Sequence, residues 1–152
     1  MRRAVAAAVV LLVSALAACG SKGSTSAPSA CLEPVGAWLS ALESAPDAVR
    51  IGDGTPIRDC FTGAEPPDVA QTAVKAATVL NAKARRDPGG PGTVSLGYLD
   101  GALHGGTAHV PSEADLMRRV DTAARYNPHG GSLGAAFERA FGKGYAAGEA
   151  TG

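Results

Sequence analysis

Three histidines are the side chains of this 152-residue sequence that best suit metal chemistry: His104, His109 and His129. A neutral imidazole nitrogen is a good ligand for Zn²⁺ or Cu²⁺. We expect the three in glycine-containing loops, which would have to converge to bind one ion, with Asp100 or Glu113 as an extra ligand. The H-x4-H spacing of the first two matches no established metal motif, and no cysteine accompanies it. Exposed polar loop residues are therefore the simpler interpretation.

The sequence contains residue types that can catalyse reactions, but they do not occur in the arrangements that known catalytic motifs require. Neither Ser95 nor Ser132 lies in a G-x-S-x-G elbow, and Cys60 is better explained by a disulfide bond. The glycine-rich run at 87–93 lacks the lysine of a phosphate-binding loop, and acidic residues such as Asp100 are expected at ordinary cap or exposed positions. The formal net charge of zero argues against a basic nucleic-acid-binding surface. We expect no enzyme activity, no cofactor and no nucleic-acid partner.

Two arginine doublets lie on predicted helices, Arg85 with Arg86 and Arg118 with Arg119. Close to a membrane they would meet anionic lipid headgroups, at about 1 kcal/mol for each arginine. Solvated helix faces explain both doublets equally well, and the first doublet also suits a helix C-terminus. Both interpretations stay open from the sequence.

The N-terminus has the pattern of a secretory signal peptide. Arg2 and Arg3 precede an apolar run at 4–13, which is shorter than the about 20 residues that span a bilayer. Residues 16–19, Leu-Ala-Ala-Cys, resemble the lipobox of bacterial lipoproteins. That resemblance implies diacylglyceryl transfer to Cys19, cleavage before it and a lipid anchor on the extracytoplasmic side of the cell membrane or outer membrane. An ordinary secreted protein cut near residue 18 is the alternative.

Three regions follow from this interpretation. Residues 1–18 form the signal peptide, and residues 19–30 combine the lipidated cysteine with a flexible linker rich in Gly, Ser and Pro. The remaining residues, 31–152, form one helical domain.

Cys31 and Cys60 remain as an even pair in an oxidising compartment, which favours a disulfide bond between them. Closing a loop of about 30 residues would stabilise the fold by roughly 3.5 kcal/mol on the chain-entropy model. A free reactive thiol is the alternative. The bond would matter here because large aliphatic residues are sparse in the domain.

Apolar residues recur at helical spacing in five segments, which predicts an all-α bundle of about five helices stapled by one disulfide. The predicted helices are 32–45, 66–86, 93–106, 112–126 and 133–148. Residues 47–63 are expected to form a structured loop pinned by Cys60, and no segment alternates as a strand would. The last helix carries a row of small residues that predicts close packing on a neighbouring helix: Ala136, Ala140, Gly144 and Gly148.

The C-terminal part contains the runs GYLDGALHGG, LMRRVDTAARYNP and FERAFGKGYAAG. These runs resemble uncharacterised Ala- and Gly-rich lipoproteins of actinobacteria, which implies an envelope location and a helical C-terminal part and carries over no functional residue. The expected function is that of a non-catalytic, lipid-anchored interaction module whose partner is an envelope protein or a hydrophobic ligand between the helices. The alternative is an extracytoplasmic metal-binding lipoprotein that uses loop histidines.

Overall fold

The computed structural model describes residues 27–63, 66–107 and 113–152. The fold of these segments consists of helices α1 (Val35–Ala41), α2 (Pro67–Arg86), α3 (Pro91–Thr107), α4 (Ala114–Ala124) and α5 (Ala135–Thr151). Short 3-10 helices occur at Ser29–Leu32, Leu42–Ser44 and Ile57–Phe61. The predicted all-α bundle is confirmed. The predicted signal peptide, Cys19 and His109 lie outside the described residues, and no helix within those segments is long and apolar enough to cross a membrane.

Helix α3 is the centre of the bundle and contacts α2, α4 and α5. Every residue from 95 to 103 is buried, so this helix has no solvated polar stripe. The hydroxyl of Tyr98 accepts a hydrogen bond from the backbone N–H of Val49 at 3.0 Å and is 3.1 Å from Oγ1 of Thr151. Ser95 donates to the carbonyl oxygen of Leu42 at 2.7 Å. These hydroxyls therefore connect α3 to the segment 42–49 and to the end of α5.

Helices α3 and α5 touch backbone to backbone. A Cβ atom at Gly144 would lie 1.9 Å from the carbonyl oxygen of Val94, and one at Gly101 would lie 2.1 Å from that of Tyr145. Glycine is required at both positions because any side chain would overlap the facing helix. The close packing predicted from the small residues of α5 is thereby confirmed at Gly144 and Gly148, whereas Ala136 is exposed, and the contact brings Tyr145 against α3.

Helices α2 and α4 pack on each other and on α3. The predicted apolar stripe of α2 is buried along its whole length: Val69, Ala73, Ala76, Ala77, Leu80 and Ala84. On α4 the buried positions are Leu116, Val120 and Ala124. The buried Asn81 donates from Nδ2 to the carbonyl oxygen of Ala124 at 2.7 Å, which satisfies an acceptor that the end of α4 leaves open.

The predicted disulfide bond joins Cys31 to Cys60, with 5.5 Å between their Cα atoms. It connects the first 3-10 helix to the one that precedes α2, and both cysteines are buried. Trp38 and Phe61 pack edge to face with their ring centroids 5.9 Å apart, so α1 and the third 3-10 helix share one core. The disulfide prediction is confirmed.

The first helix is shorter than predicted. Helix α1 begins at Val35 instead of residue 32, and Leu32 is 55% exposed instead of facing the core. The cause is Pro34, because its ring disfavours the helical conformation for the preceding residue. At the other end α1 tightens into the 3-10 turn Leu42–Ser44.

The predicted loop at 47–63 contains a strand pair that the sequence did not reveal. Strands β1 (Arg50–Ile51) and β2 (Thr55–Pro56) pair antiparallel, with Arg50 opposite Pro56 and Ile51 opposite Thr55. Gly52 and Gly54 adopt positive φ in the turn between them. Strands of two residues are too short for an alternating pattern to show.

Candidate metal centre

Three side chains of metal-ligand type meet between helices α3 and α4. Asp100 and His104 lie one turn apart on α3 and therefore on the same face, and Asp121 approaches from α4. Nε2 of His104 is 3.1 Å from Oδ1 of Asp121 and 4.0 Å from Oδ1 of Asp100. One ligand atom from each residue lies within 4.8 Å of the other two. Among the described residues, this is the cluster whose geometry could hold a metal ion.

Asp100 is the most unusual member of the cluster. Only 3% of the residue is exposed, and its Oδ1 has no hydrogen-bond partner within the described structure. Other buried polar side chains of α3 do have partners, as Ser95 and Tyr98 show, and Thr107 donates to the carbonyl oxygen of Leu103. A buried oxygen that accepts no hydrogen bond lowers the stability of the fold. Binding of a proton or a cation to that oxygen removes the penalty.

The pKa of Asp100 is raised from 3.8 to about 7. Burial is the largest cause, followed by the hydrogen bond with Asp121 and the negative charge of that residue. The charges of His104 and Arg125 act in the opposite direction. The carboxyl pair therefore binds a proton at a pH at which an exposed aspartate is fully ionised.

Helix α5 closes one side of the cluster with an aromatic ring. The ring of Tyr145 lies 5.7 Å from that of His104, centroid to centroid, at an interplanar angle of 59°. Burial raises the pKa of the Tyr145 hydroxyl, and the charges of Glu149, Asp100 and Asp121 raise it further. The side chains of His104 and Asp121 are 32% and 43% exposed, so the cluster stays open to solvent on its other side.

The spacing of the three donors suits a small divalent ion. Tetrahedral Zn²⁺ with ligand bonds near 2.0 to 2.2 Å places neighbouring donor atoms about 3.3 Å apart. The separations of 3.1 Å and 4.0 Å lie on either side of that value, and all three ligand atoms lie within 4.8 Å of one another. One imidazole and two carboxylates form a mixed nitrogen and oxygen set, which suits zinc better than Ca²⁺ or Mg²⁺.

The structure brings together only part of the predicted ligand set. His104 and Asp100 meet as expected. His129 lies in the turn between α4 and α5 and is not part of this cluster, nor is Glu113. His109 lies outside the described residues, so its predicted role stays a prediction.

Two expectations about these residues are wrong. His104 lies within α3, as the predicted helix 93–106 implies, and not in the loop expected for the three histidines, because the helix continues through Gly105 and Gly106 to Thr107. A Cβ atom at Gly105 would lie 3.0 Å from the Arg58 guanidinium, and one at Gly106 would lie 2.8 Å from Cβ of Phe61, so close packing compensates for the low helix propensity of both glycines. Asp100 is buried instead of lying at an ordinary exposed position.

Asp121 is the member of this cluster that the sequence analysis did not single out. It stands one residue after the buried Val120 and three before the buried Ala124, so it borders the apolar stripe of α4. That position was readable from the sequence and indicates a side chain near the helix interface. Its meeting with His104 depends on how α4 lies on α3, which the sequence pattern does not give.

Comparison with known proteins identifies no relative. No protein family matches the chain, and no curated protein or solved structure is significantly similar to it. The site is therefore interpreted from its own residues.

Proposed function

We propose that this chain is a lipid-anchored, extracytoplasmic helical module whose domain binds a divalent transition-metal ion through Asp100, His104 and Asp121. Zn²⁺ fits this donor set best. The observation that carries the proposal is the buried Oδ1 of Asp100, which has no hydrogen-bond partner and lies 4.0 Å from Nε2 of His104.

The charges of the cluster favour a divalent cation. When both carboxyls are ionised, Asp100 and Asp121 bring two negative charges together, and the burial of Asp100 strengthens their repulsion. A dication cancels both charges and gives Oδ1 of Asp100 the partner it lacks. The neutral imidazole of His104 adds a nitrogen donor, which favours zinc among the abundant divalent ions.

Protons compete with the metal for the same atoms. Asp100 holds a proton up to a pH of about 7, and His104 must be neutral at Nε2 before it can act as a ligand. Metal affinity therefore increases with pH, and each bound ion displaces protons. A site of this kind loads near neutral pH and empties as its surroundings acidify.

The anchor determines where such a site would act. The lipobox supports acylation of Cys19, and the following residues 20–28 suit a flexible tether that ends where the first 3-10 helix begins. Such a tether has an end-to-end distance of roughly 16 Å, so the domain would bind metal close to the membrane surface. Lipidation, extracytoplasmic location and the lack of catalytic activity all stay predictions from the sequence.

Calorimetric titration of the purified protein with ZnCl₂ at pH 7.5 tests the metal proposal. We expect one saturable site per chain. His104→Gln and Asp121→Asn should each weaken binding at least tenfold, because each removes a direct ligand. His129→Gln and Asp115→Asn are the matched controls, since they change the same residue types outside the cluster, and both should bind as the parent does.

Circular dichroism on every variant separates loss of a ligand from loss of fold. The metal proposal is contradicted if the parent gives no saturable heat with Zn²⁺. It is equally contradicted if folded His104→Gln binds the ion as tightly as the parent, because the site would then lie elsewhere.

A further inference from the structure

A groove between α2 and α4 is a second surface feature, separate from the metal cluster. It encloses about 420 Å³, a volume typical of sites for small molecules. Its apolar lining comes from Val74 and Ala82 on α2, Ala123 on α4, and the ring of Tyr126 just after α4. Tyr126 is 56% exposed, so this groove presents an aromatic face to solvent.

The same groove collects positive charge from both arginine doublets. Arg85 contributes from α2, and Arg118 and Arg119 contribute from α4, while no acidic residue is found among the described residues that line it. Asp115, which is not part of the lining, pairs with Arg118 and lies 4.0 Å from Arg119. Among the described residues, the lining contains three guanidinium groups and no carboxylate, so the groove carries an excess of positive charge.

Arg85 is held in place before any ligand arrives. Its Nε donates to Oδ1 of the buried Asn81 at 3.0 Å, and its guanidinium carbon lies 5.9 Å from the centroid of the Tyr126 ring. Asn81 is itself fixed by its hydrogen bond to Ala124. A cation oriented in this way loses little side-chain entropy on binding an anion.

We propose that this groove binds a small anionic amphiphile, a monomeric molecule with one apolar chain and one phosphate headgroup. The apolar chain would cover Val74, Ala123 and the Tyr126 ring. The headgroup would pair with the pre-oriented Arg85 and with Arg118 and Arg119. A single molecule fits this concave groove better than a bilayer does. A flat lipid surface would contact the exposed arginines but would leave the apolar lining of the groove uncovered.

Calorimetry with decyl phosphate, below the concentration at which it forms micelles, tests this proposal. The whole chain is used with Cys19→Ser, so that no acyl chain of its own can enter the groove, and with EDTA, so that the result is independent of the metal site. We expect saturable binding of decyl phosphate. Decanol lacks the phosphate headgroup, and inorganic phosphate lacks the apolar chain. Each should bind at least tenfold more weakly than decyl phosphate does.

Variants assign the binding to the groove. The double variant Arg118→Gln/Arg119→Gln should weaken decyl phosphate binding about tenfold, and Thr122→Trp should weaken it by filling the groove without changing its charge. Asp115→Asn should tighten binding two- to fivefold because it removes the competing carboxylate. Arg139→Gln, on α5 and outside the lining, is the matched control and should have no effect.

The proposal is overturned if decanol binds as well as decyl phosphate, or if the double arginine variant binds decyl phosphate as tightly as the parent while its circular dichroism is unchanged. Binding to phosphatidylglycerol vesicles without binding of the monomeric probe would overturn it as well, because the arginines would then serve a membrane surface. Since EDTA is present throughout, failure here leaves the metal proposal standing.

Discussion

Oδ1 of Asp100 lies 4.0 Å from Nε2 of His104, one turn further along the same helix, and nothing in the described structure donates a hydrogen bond to it. Ordinary packing would satisfy such a buried oxygen, as it does for the hydroxyls of Ser95 and Tyr98 on the same helix. Asp100 is therefore a buried group whose partner must be a proton or a cation.

This burial makes the stability of the metal-free domain depend on pH. The pKa of Asp100 is about 7 in the folded state and 3.8 as a free side chain, so between these values the folded state binds more protons than the unfolded state. The contribution of Asp100 to the free energy of unfolding is thus fully present below pH 4 and is lost as the pH rises through 7.

Asp100→Asn tests this dependence, because the amide imitates the protonated carboxyl at every pH. In EDTA at pH 8 the variant should be more stable than the parent by on the order of 3 kcal/mol, and at pH 4 the two should be alike. Thermal unfolding at the two pH values measures the difference. Asp115→Asn should show no such gain at pH 8, and a gain for Asp100→Asn that is the same at both values would refute the assigned pKa.

The contact of α3 with α5 predicts opposite outcomes for two glycines of one helix. Gly144→Ala should lower the free energy of unfolding by about 3 kcal/mol, since its Cβ would overlap the carbonyl oxygen of Val94. Gly142→Ala, with open space around the new Cβ, should raise that free energy by up to about 1 kcal/mol. Urea unfolding of both variants decides the matter, and equal effects would disprove the close contact.

Loss of the disulfide bond should destabilise the domain. Cys31→Ser should lower the free energy of unfolding by about 3 kcal/mol, which corresponds to a fall in Tm on the order of 10 °C. A reducing agent should lower the Tm of the parent and leave that of the variant unchanged. Mass spectrometry of exported, unreduced protein checks the bond directly, and two free thiols at Cys31 and Cys60 would rule it out.

The lipid anchor is tested at Cys19. In a bacterial host, Cys19→Ala should abolish incorporation of labelled palmitate and leave the signal peptide uncleaved, because both steps depend on the diacylglyceryl group carried by the Cys19 sulfur. Ser21→Ala, two residues away, should keep both the label and the cleavage. Labelling that persists in Cys19→Ala would place the lipid on another residue.

Sequence periodicity predicted the helices whose apolar stripes are regular. Helix α2 begins at a proline pair and repeats small and apolar residues at a spacing near 3.6, so both its bounds and its buried face follow from local chemistry. The start of α1 was predicted too early because Leu32 continues the apolar spacing, whereas Pro34 limits the backbone before it.

The cluster of Asp100, His104 and Asp121 was predictable only in part. Asp100 and His104 share a helical turn, so their proximity follows from sequence spacing alone. Asp121 joins them through the packing of α4 on α3, and the burial of Asp100 comes from the approach of several helices to α3. These two facts depend on tertiary arrangement, which local periodicity does not contain.

The complete burial of residues 95–103 has a consequence for amide hydrogen exchange. Amides in the middle of α3 can exchange only when the whole domain opens, whereas those of the half-exposed α4 can exchange through local opening. Because two of the three proposed ligands sit on α3, metal binding would slow exchange along that entire helix at once. If metal binding slowed exchange only at a few amides around Asp121, the ion would instead be stabilising α4 locally.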